Sequence, residues 1–466
     1  MDSRRGFLGA ASGALAAAAL ASRANAAEPV ATGKPAAGGN PAATVVSGSA
    51  ATDGTVPFYG AHQAGIDTLQ QTHTVFASFD LRTEKAADIE RLLVAWTDAA
   101  ARLTAGETVA PLGSDAGTPP LDSGEVLGLP SRRLTLTFGF APTMFEQAGK
   151  DSFRLRSRKP AALVALPRFN GDQLVEAQSG GDLCIQACAD DSQVAFHAIR
   201  QLARIAAAGD ATAGDASAGY GRRGAAAQAT GPAMLRWMQA GFVPDSPVAE
   251  SPRNLLGFRD GTDNPGAPGI AERANGKAVG NGTPAESVWV GSEGPAWMRG
   301  GTYLVVRKVR LFLEHWDRSN LAFQQQVIGR HKASGAPLSG GTIAAPLDLD
   351  ALDKDGNPLI PENAHVRVAS ASATHGARIS RRSYSYNNGL SMVAERWPPW
   401  RQGLEYDAGL LFVAHQRDPR TGFIPMFERM SKFDLLNQYA THVASAIFAV
   451  PSGARRGVPI GHELFA

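Results

Sequence analysis

The sequence predicts an α+β fold made of two similar halves, and three observations support this. Residues 183–189 have the pattern of a strand. Candidate helix caps follow at 190–192, and an amphipathic helix follows the caps. Residues 410–415, a polar turn and a helix repeat this order later in the chain. Apolar residues recur at helical spacing from Ile89 to Leu103. Short strand–helix connections are typical of α+β sheets that helices cover on one face.

Other segments have a clear period of their own. Residues 134–140 alternate apolar with small or polar side chains, which predicts a half-buried strand. The last predicted element is a helix at about 426–448. The remaining expected elements are strands at 74–81, 302–313 and 383–386 and a helix at 321–328.

The N-terminus has the pattern of an export signal. Arg4 and Arg5 precede an apolar run at 9–21, which closes on the small-x-small pattern Ala24-Asn25-Ala26. Residues 1–26 are therefore expected to be a twin-arginine signal for the periplasm, with an N-terminal membrane anchor as the alternative. The run is short for a membrane span, and we expect none in the mature chain.

Two segments have the composition of unstructured chain. Residues 27–55 are rich in Ala, Gly, Pro and Thr without a period, which predicts a disordered leader. Residues 206–230 have a similar composition and are expected to form a flexible surface insertion.

Charge argues against nucleic acid as a partner. The chain has 45 Lys and Arg against 43 Asp and Glu, and loss of residues 1–26 would leave 42 of each. A neutral chain does not have the basic face that phosphate backbones require.

The two cysteines, Cys184 and Cys188, are expected to be buried and unpaired. Four positions apart on a strand, they would lie about 13 Å apart, beyond the disulfide limit of about 7 Å.

An aspartate stands between two glycines in Gly257-Phe258-Arg259-Asp260-Gly261. Such a loop lets a ligand approach the carboxylate closely, although Gly, Asp and Asn also build ordinary surface turns. The surrounding run, 254–265, resembles the GxxDG signature of the dye-decolorising peroxidases, which are haem proteins. The resemblance extends from about residue 57 to the C-terminus, and its other specific segments are 328–337, 361–369 and 381–386.

The resemblance implies a duplicated fold of two ferredoxin-like halves, 56–240 and 241–466, and one haem b per chain. The sequence has no Cys-x-x-Cys-His motif, so the haem is expected to be held without thioether bonds. The chain departs from the family at the 206–230 insertion and at Ser383, where some members have asparagine.

The resemblance identifies His365 as the proximal ligand of the haem iron. A histidine suits this position because one ring nitrogen binds iron while an acceptor orients the other. Asp434 is the candidate for that acceptor, with a solvated helix face as the alternative. His315 is the main rival to His365.

Two arginines complete the implied site. Arg330 is assigned to a haem propionate, which a guanidinium binds in a fixed fork. Arg381 is assigned to the open side of the iron. Its neighbour Arg382 is expected to point outward, because consecutive strand residues face opposite sides.

Asp260 is assigned as the distal acid–base group that moves a proton during peroxide cleavage. Arg381 would stabilise the charge that grows on the departing oxygen. Surface aromatic residues such as Trp397, Trp400 and Tyr406 are candidates for electron relay, although packing is the commoner role of such side chains.

These assignments imply an enzyme that reduces hydrogen peroxide and oxidises dyes, phenols or other bulky donors. The export signal makes the chain similar to periplasmic members described as deferrochelatases, which are linked to iron uptake. The alternatives are a periplasmic haem or iron carrier with incidental peroxidase activity, and release of iron from haem. The oligomeric state is left open between a monomer and a homo-oligomer.

Overall fold

The computed structural model describes residues 54–113, 116–208, 231–245, 251–265, 284–394 and 402–466. The expected export signal, residues 27–53 of the expected leader, and residues 209–230 of the expected insertion lie outside these ranges.

Strands and helices alternate along the described chain. The strands are β1 (His73–Leu81), β2 (Thr135–Phe140), β3 (Leu183–Ala189), β4 (Ala233–Phe242), β5 (Thr302–Leu311), β6 (Ser380–Arg381), β7 (Tyr384–Ala394), β8 (Gln402–Gln416) and β9 (Ala440–Val450). The helices are α1 (Ala86–Thr104), α2 (Pro142–Phe145), α3 (Ser192–Ala208), α4 (Pro284–Ser287), α5 (Leu313–Trp316), α6 (Leu321–Ile328), α7 (His365–Val368), α8 (Phe423–Phe433) and α9 (His462–Phe465).

The two halves use the same strand order. The first half pairs its antiparallel strands in the order β4-β1-β3-β2, and the second in the order β9-β5-β8-β7. Each is the order of a ferredoxin-like unit, in which the first and third strands lie in the centre. The α+β fold class of two ferredoxin-like halves is thus confirmed.

The two sheets join edge to edge into a closed, barrel-like ring. Phe140 of β2 pairs with Ala449 of β9, and Phe242 of β4 pairs with Ser385 of β7. An apolar cluster that includes Phe76, Trp237 and Phe448 draws its residues from strands of both halves. The larger cluster contains the apolar residues of α1 and α3 together with those of the strands they cover.

Ring closure explains why one expectation about β2 is wrong. All six residues of β2 are buried, although its alternating pattern predicts a half-buried strand with one open face. The small residues Thr135, Thr137 and Gly139 face neighbouring elements rather than water; a Cβ on Gly139 would lie 2.8 Å from Phe448 Cβ.

The helix expected at about 426–448 is also wrong. Helix α8 ends at Phe433, and residues 440–450 form β9, which pairs with β5 along its whole length. Four alanines among the eleven residues of β9 favour a helix, but β9 also carries Thr, Val, Ile and Phe, and its pairing with β5 decides its conformation.

Local capping agrees with the sequence at other boundaries. Asp191 Oδ1 accepts hydrogen bonds from the backbone N–H groups of Gln193 (2.8 Å) and Val194 (3.0 Å) at the start of α3. Helix α6 ends at Gly329, whose φ of 89° suits glycine. Cys184 and Cys188 are buried and unpaired, as expected. None of the described helices combines the length and the apolar character needed to cross a membrane.

Candidate functional site

A large cavity lies in the second half, between its sheet and the segments that cover it. The space free of protein atoms is about 1750 Å³, and this volume includes open solvent at the mouth of the cavity. Apolar side chains make up most of its wall. They include Leu255, Phe258, Leu311, Ile328, Leu410, Phe412, Met426 and Met430. Asp260, Arg330, His365, Arg381 and Asp434 all line this one cavity.

The loop at 254–265 is built by its own polar side chains. Asn254 Oδ1 accepts hydrogen bonds from the backbone N–H groups of Leu256 (3.1 Å) and Phe258 (3.2 Å). Gly257 has a φ of 84°, and a Cβ there would lie 2.6 Å from the Lys332 side chain. This position therefore requires glycine, and the turn places Asp260 at the cavity wall.

Asp260 and Arg381 form an ion pair within the cavity. Arg381 Nη1 donates to Asp260 Oδ1 at 2.8 Å, and the two side chains are 25% and 22% exposed. Asn264 holds the backbone of Arg381 from both sides: its Nδ2 donates to Arg381 O at 2.6 Å, and its Oδ1 accepts from Arg381 N at 3.1 Å. The sequence analysis gave Asn264 no role, although it stands in the same motif.

Arg382 points away from the cavity, but it is buried and does not point outward as expected. Its Nη1 donates to Thr68 O at 2.6 Å and its Nη2 to Gln71 Oε1, both in the first half. The strand is interrupted between β6, which ends at Arg381, and β7, and Arg382 lies in this interruption. Ser383 Oγ accepts a hydrogen bond there from Val413 N at 3.2 Å. Ring closure puts the far side of this strand inside the protein rather than in solvent.

His365 is held by a carboxylate. Its Nδ1 lies 2.6 Å from Asp434 Oδ2, and the other oxygen of Asp434 accepts from Leu436 N at 2.8 Å. No hydrogen bond within the described residues engages Nε2 of His365. Burial lowers the pKa of His365, but the Asp434 carboxylate raises the pKa more, and the net shift is upward.

The position of Asp434 differs from a solvated helix face. The residue follows the end of α8, its side chain is 3% exposed, and Leu435 N donates to Asn363 O at 3.0 Å beside it. This contact docks the segment that carries His365 against the end of α8.

Arg330 is buried with spare hydrogen-bonding capacity. Its Nη1 donates to Gly335 O at 2.8 Å and to Ile343 O at 3.2 Å, while its buried Nε has no partner among the described residues. Burial lowers the pKa of Arg330, and the nearby Asp263 charge raises it in part. An anionic group in the cavity would satisfy this guanidinium.

A polar pair that the sequence did not indicate, Arg307 with His442, lies beside the cavity, and His442 forms part of the lining. Arg307 on β5 is fully buried, pairs with Asp172 of the first half, and donates from Nε to His442 Nδ1 at 3.0 Å. Burial lowers the pKa of Arg307 to about 10, and burial with the Arg307 charge lowers the pKa of His442 well below its usual value. His442 is thus neutral, with its proton on Nε2. Strand β5 also carries Lys308 and Arg310, so its sequence offered no signal specific to Arg307.

The rival histidine is elsewhere. His315 is exposed, stacks near Tyr439, and does not line the cavity. Tyr406 is 49% exposed on β8, and Trp397 and Trp400 lie outside the described residues.

A mostly apolar slot with a carboxylate-held imidazole and a buried arginine, whose Nε has no hydrogen-bond partner among the described residues, is the kind of site that binds haem. Each feature matches one requirement of the cofactor: apolar walls for the ring, an unengaged imidazole nitrogen for iron, and a buried cation for a propionate. The residues present therefore fit haem b.

Comparison with known proteins gives the same answer at the level of the family. Models of the N-terminal and C-terminal regions of Dyp-type peroxidases match residues 63–220 and 251–455. The chain is 36% identical to a dye-decolorizing peroxidase of Thermobifida fusca over 80% of this chain and 74% of the relative. It is 32% identical to a deferrochelatase of Escherichia coli K12 over 86% of this chain and 84% of the relative.

A solved structure agrees with this. An oxyferrous complex of DtpA from Streptomyces lividans superposes with a TM-score of 0.72 at 35% identity, over 89% of this chain and 99% of that one. The chain belongs to the Dyp-type peroxidase family. It is a haem-dependent peroxidase, and its cofactor is haem b.

Proposed function

We propose that His365 would hold the haem iron in this peroxidase, and that Asp260 with Arg381 are the groups that act on hydrogen peroxide. The single observation that carries the proposal is the Asp260–Arg381 pair in the cavity that His365 also lines. Haem, when bound, supplies the iron at which the O–O bond is cleaved.

Asp260 is proposed to move the proton. Its carboxylate accepts a proton from hydrogen peroxide and returns it to the oxygen that leaves as water. Arg381 stabilises the negative charge that develops on this departing oxygen, and it is aimed beforehand because Asn264 fixes its backbone.

Asp434 and Arg330 are proposed to position the cofactor. Asp434 accepts the Nδ1–H of His365, which fixes the tautomer and leaves Nε2 as the electron-pair donor. Arg330 binds a propionate through its unpartnered edge, beside a loop of glycine and carbonyl groups that keeps it in place.

The electron donors are proposed to be dyes, phenols or other bulky reductants, and the working place is proposed to be the periplasm. The twin-arginine pattern at Arg4 and Arg5 supports export. Cell fractionation tests it: replacing both arginines with lysine is expected to leave the protein in the cytoplasm, and unchanged periplasmic protein would contradict export by this route.

The test of the site compares Asp260→Ala and Arg381→Ala with wild type in rapid mixing with peroxide. We expect haem content to be unchanged and the rate of the absorbance change to fall at least about 100-fold in each variant. Asp80→Asn is the matched control, because the Arg236–Asp80 pair of the first half has similar exposure, 26% and 31%.

The relative named deferrochelatase supports a second candidate function, a periplasmic haem or iron carrier in which peroxidase activity is incidental. A carrier needs neither Asp260 nor Arg381 for its task. Unchanged rates in both variants would overturn the proposed roles and favour the carrier.

A further inference from the structure

A second polar cluster lies in the first half, remote in sequence from every residue of the haem cavity. Asp122 and Glu125 stand in the connection between α1 and β2, and His197 stands on α3. His197 Nε2 is 3.5 Å from Asp122 Oδ2, and its Nδ1 is 3.2 Å from Glu125 Oε2. One ligand atom from each residue lies within 4.8 Å of the others.

The cluster is buried and incompletely bonded. The side chains of His197 and Asp122 are 1% and 0% exposed. Neither His197 Nε2 nor Glu125 Oε2 has a hydrogen-bond partner within the described residues. Buried polar atoms are nearly always satisfied, so an Nε2 of His197 that meets Asp122 Oδ2 only at 3.5 Å, without a hydrogen bond, points to a bound species beside it.

Both carboxylates are ionised at neutral pH. Burial raises the pKa of Asp122, but His197 and the backbone N–H groups of Gly124 and Val109 lower it further, and the net shift is downward. Burial also opposes ionisation of Glu125, but hydrogen bonds from Ser123 and the His197 contact bring its pKa to about 2. Arg200, 51% exposed, meets Glu125 through Oε1, while Glu125 Oε2 faces His197 Nδ1. One buried and one partly exposed carboxylate therefore flank the imidazole.

We propose that Asp122, Glu125 and His197 form a binding site for one divalent transition-metal ion, with Zn²⁺ as the best match. Imidazole nitrogen and carboxylate oxygens are zinc ligands at about 2.0–2.2 Å, so neighbouring ligand atoms in a tetrahedral site lie about 3.3–3.6 Å apart. The 3.5 Å contact between His197 Nε2 and Asp122 Oδ2 is close to that separation, and one ligand atom from each of the three residues lies within 4.8 Å of the others. Glu125, 19% exposed, leaves room for water as a fourth ligand.

Such an ion would tie the α1–β2 connection to α3. Asp122 already gathers this connection by accepting from Val109 N at 2.9 Å and Gly124 N at 2.8 Å. The metal site is thus structural, and it is separate from the peroxide chemistry of the second half.

The experiment uses the haem-loaded protein, incubated with Zn²⁺ and passed through a desalting column. Elemental analysis is expected to find about one zinc ion per chain. In His197→Gln and Asp122→Asn, zinc affinity in calorimetric titration is expected to fall at least about tenfold. Glu90→Gln, an exposed acidic residue on α1, is the control and is expected to bind zinc like wild type.

Anomalous diffraction at the zinc edge tests the wild-type protein without relying on a variant that folds. A peak bounded by Asp122, Glu125 and His197 supports the proposal. Absence of bound zinc, a peak elsewhere, or equal affinity in His197→Gln would overturn it and leave a buried imidazole between two carboxylates as the account of the cluster.

Discussion

The two halves have the same strand order, but the first half has a packed apolar core and the second half contains a large cavity. In the first half, α1 and α3 lie on the sheet, and Trp96 with Phe79 and Phe138 fills the space between the layers. In the second half, the connection from β5 to β6 contains only the short helices α5, α6 and α7 and long loops. The cavity thus lies in the half whose first connection has no helix as long as α1.

This difference teaches that the sheet supports the site while irregular connections build it. Asp260, Arg330, His365 and Asp434 all lie in loops or at helix ends, where polar side chains and glycines set the local geometry. Binding residues are commonly found on loops held by a rigid scaffold.

Removal of the axial histidine should have the largest effect. Loss of residues that only orient a metal ligand costs about 10–100-fold in affinity, so His365→Ala is expected to weaken haem binding by more than about 100-fold. Titration of haem into the protein, followed by absorbance, measures it. His315→Ala, an exposed histidine away from the cavity, should bind haem normally; equal affinities for both variants would contradict the assignment.

Two phenylalanine-to-alanine substitutions, one in each half, compare the packed core of the first half with the cavity of the second. Phe138→Ala leaves a void in a packed core and should lower the free energy of unfolding by about 3–5 kcal/mol, with the haem spectrum unchanged. Phe412→Ala should cost less than half as much but weaken haem binding, because this side chain lines the cavity. Denaturant unfolding and the haem spectrum give both readings, and reversed behaviour would break the comparison.

The buried Asp172–Arg307 pair links the two halves, and its loss should be costly. Asp172→Asn leaves the fully buried Arg307 charge uncompensated and is expected to lower the free energy of unfolding by about 3–5 kcal/mol. The partly exposed Asp80–Arg236 pair should contribute at most about 1 kcal/mol, so Asp80→Asn is its control. Equal unfolding midpoints for the two variants would show that the pair does not join the halves.

The smallest effect is expected at Asn264. Asn264→Ala removes two hydrogen bonds to the backbone of Arg381 without touching its guanidinium, and should slow the peroxide reaction about tenfold, or about 1.4 kcal/mol. The thermal midpoint of unfolding and the haem content should stay near wild type. A rate equal to wild type would mean that the Asp260 pair alone holds Arg381.

Much of the regular structure was predictable, because local signals and tertiary pairing agree there. The strand at 183–189 has the predicted bounds, and Asp191 caps α3 as expected. The pattern failed at β9, whose alanines suggest a helix although its Thr, Val and Ile residues and its pairing with β5 favour a strand. It also failed for Arg382, because no local signal reports that the two sheets close into a ring.

The sequence named Asp434 as the candidate partner of His365, but it gave no role to Asn264. Spacing alone cannot indicate that Asn264 contacts a backbone 117 positions away, and the structure shows that Asp434, 69 positions after His365, reaches its imidazole. Such contacts depend on how loops from distant parts of the chain meet at the cavity. The contact between Arg307 and His442 could not be predicted for the same reason.

A crystal structure of the haem-loaded protein tests the central claim most directly. The account predicts iron bonded to Nε2 of His365, with Asp260 and Arg381 facing the iron from the opposite side of the ring. Iron bound by any other residue, or a haem with both Asp260 and Arg381 out of reach of its open face, would contradict it.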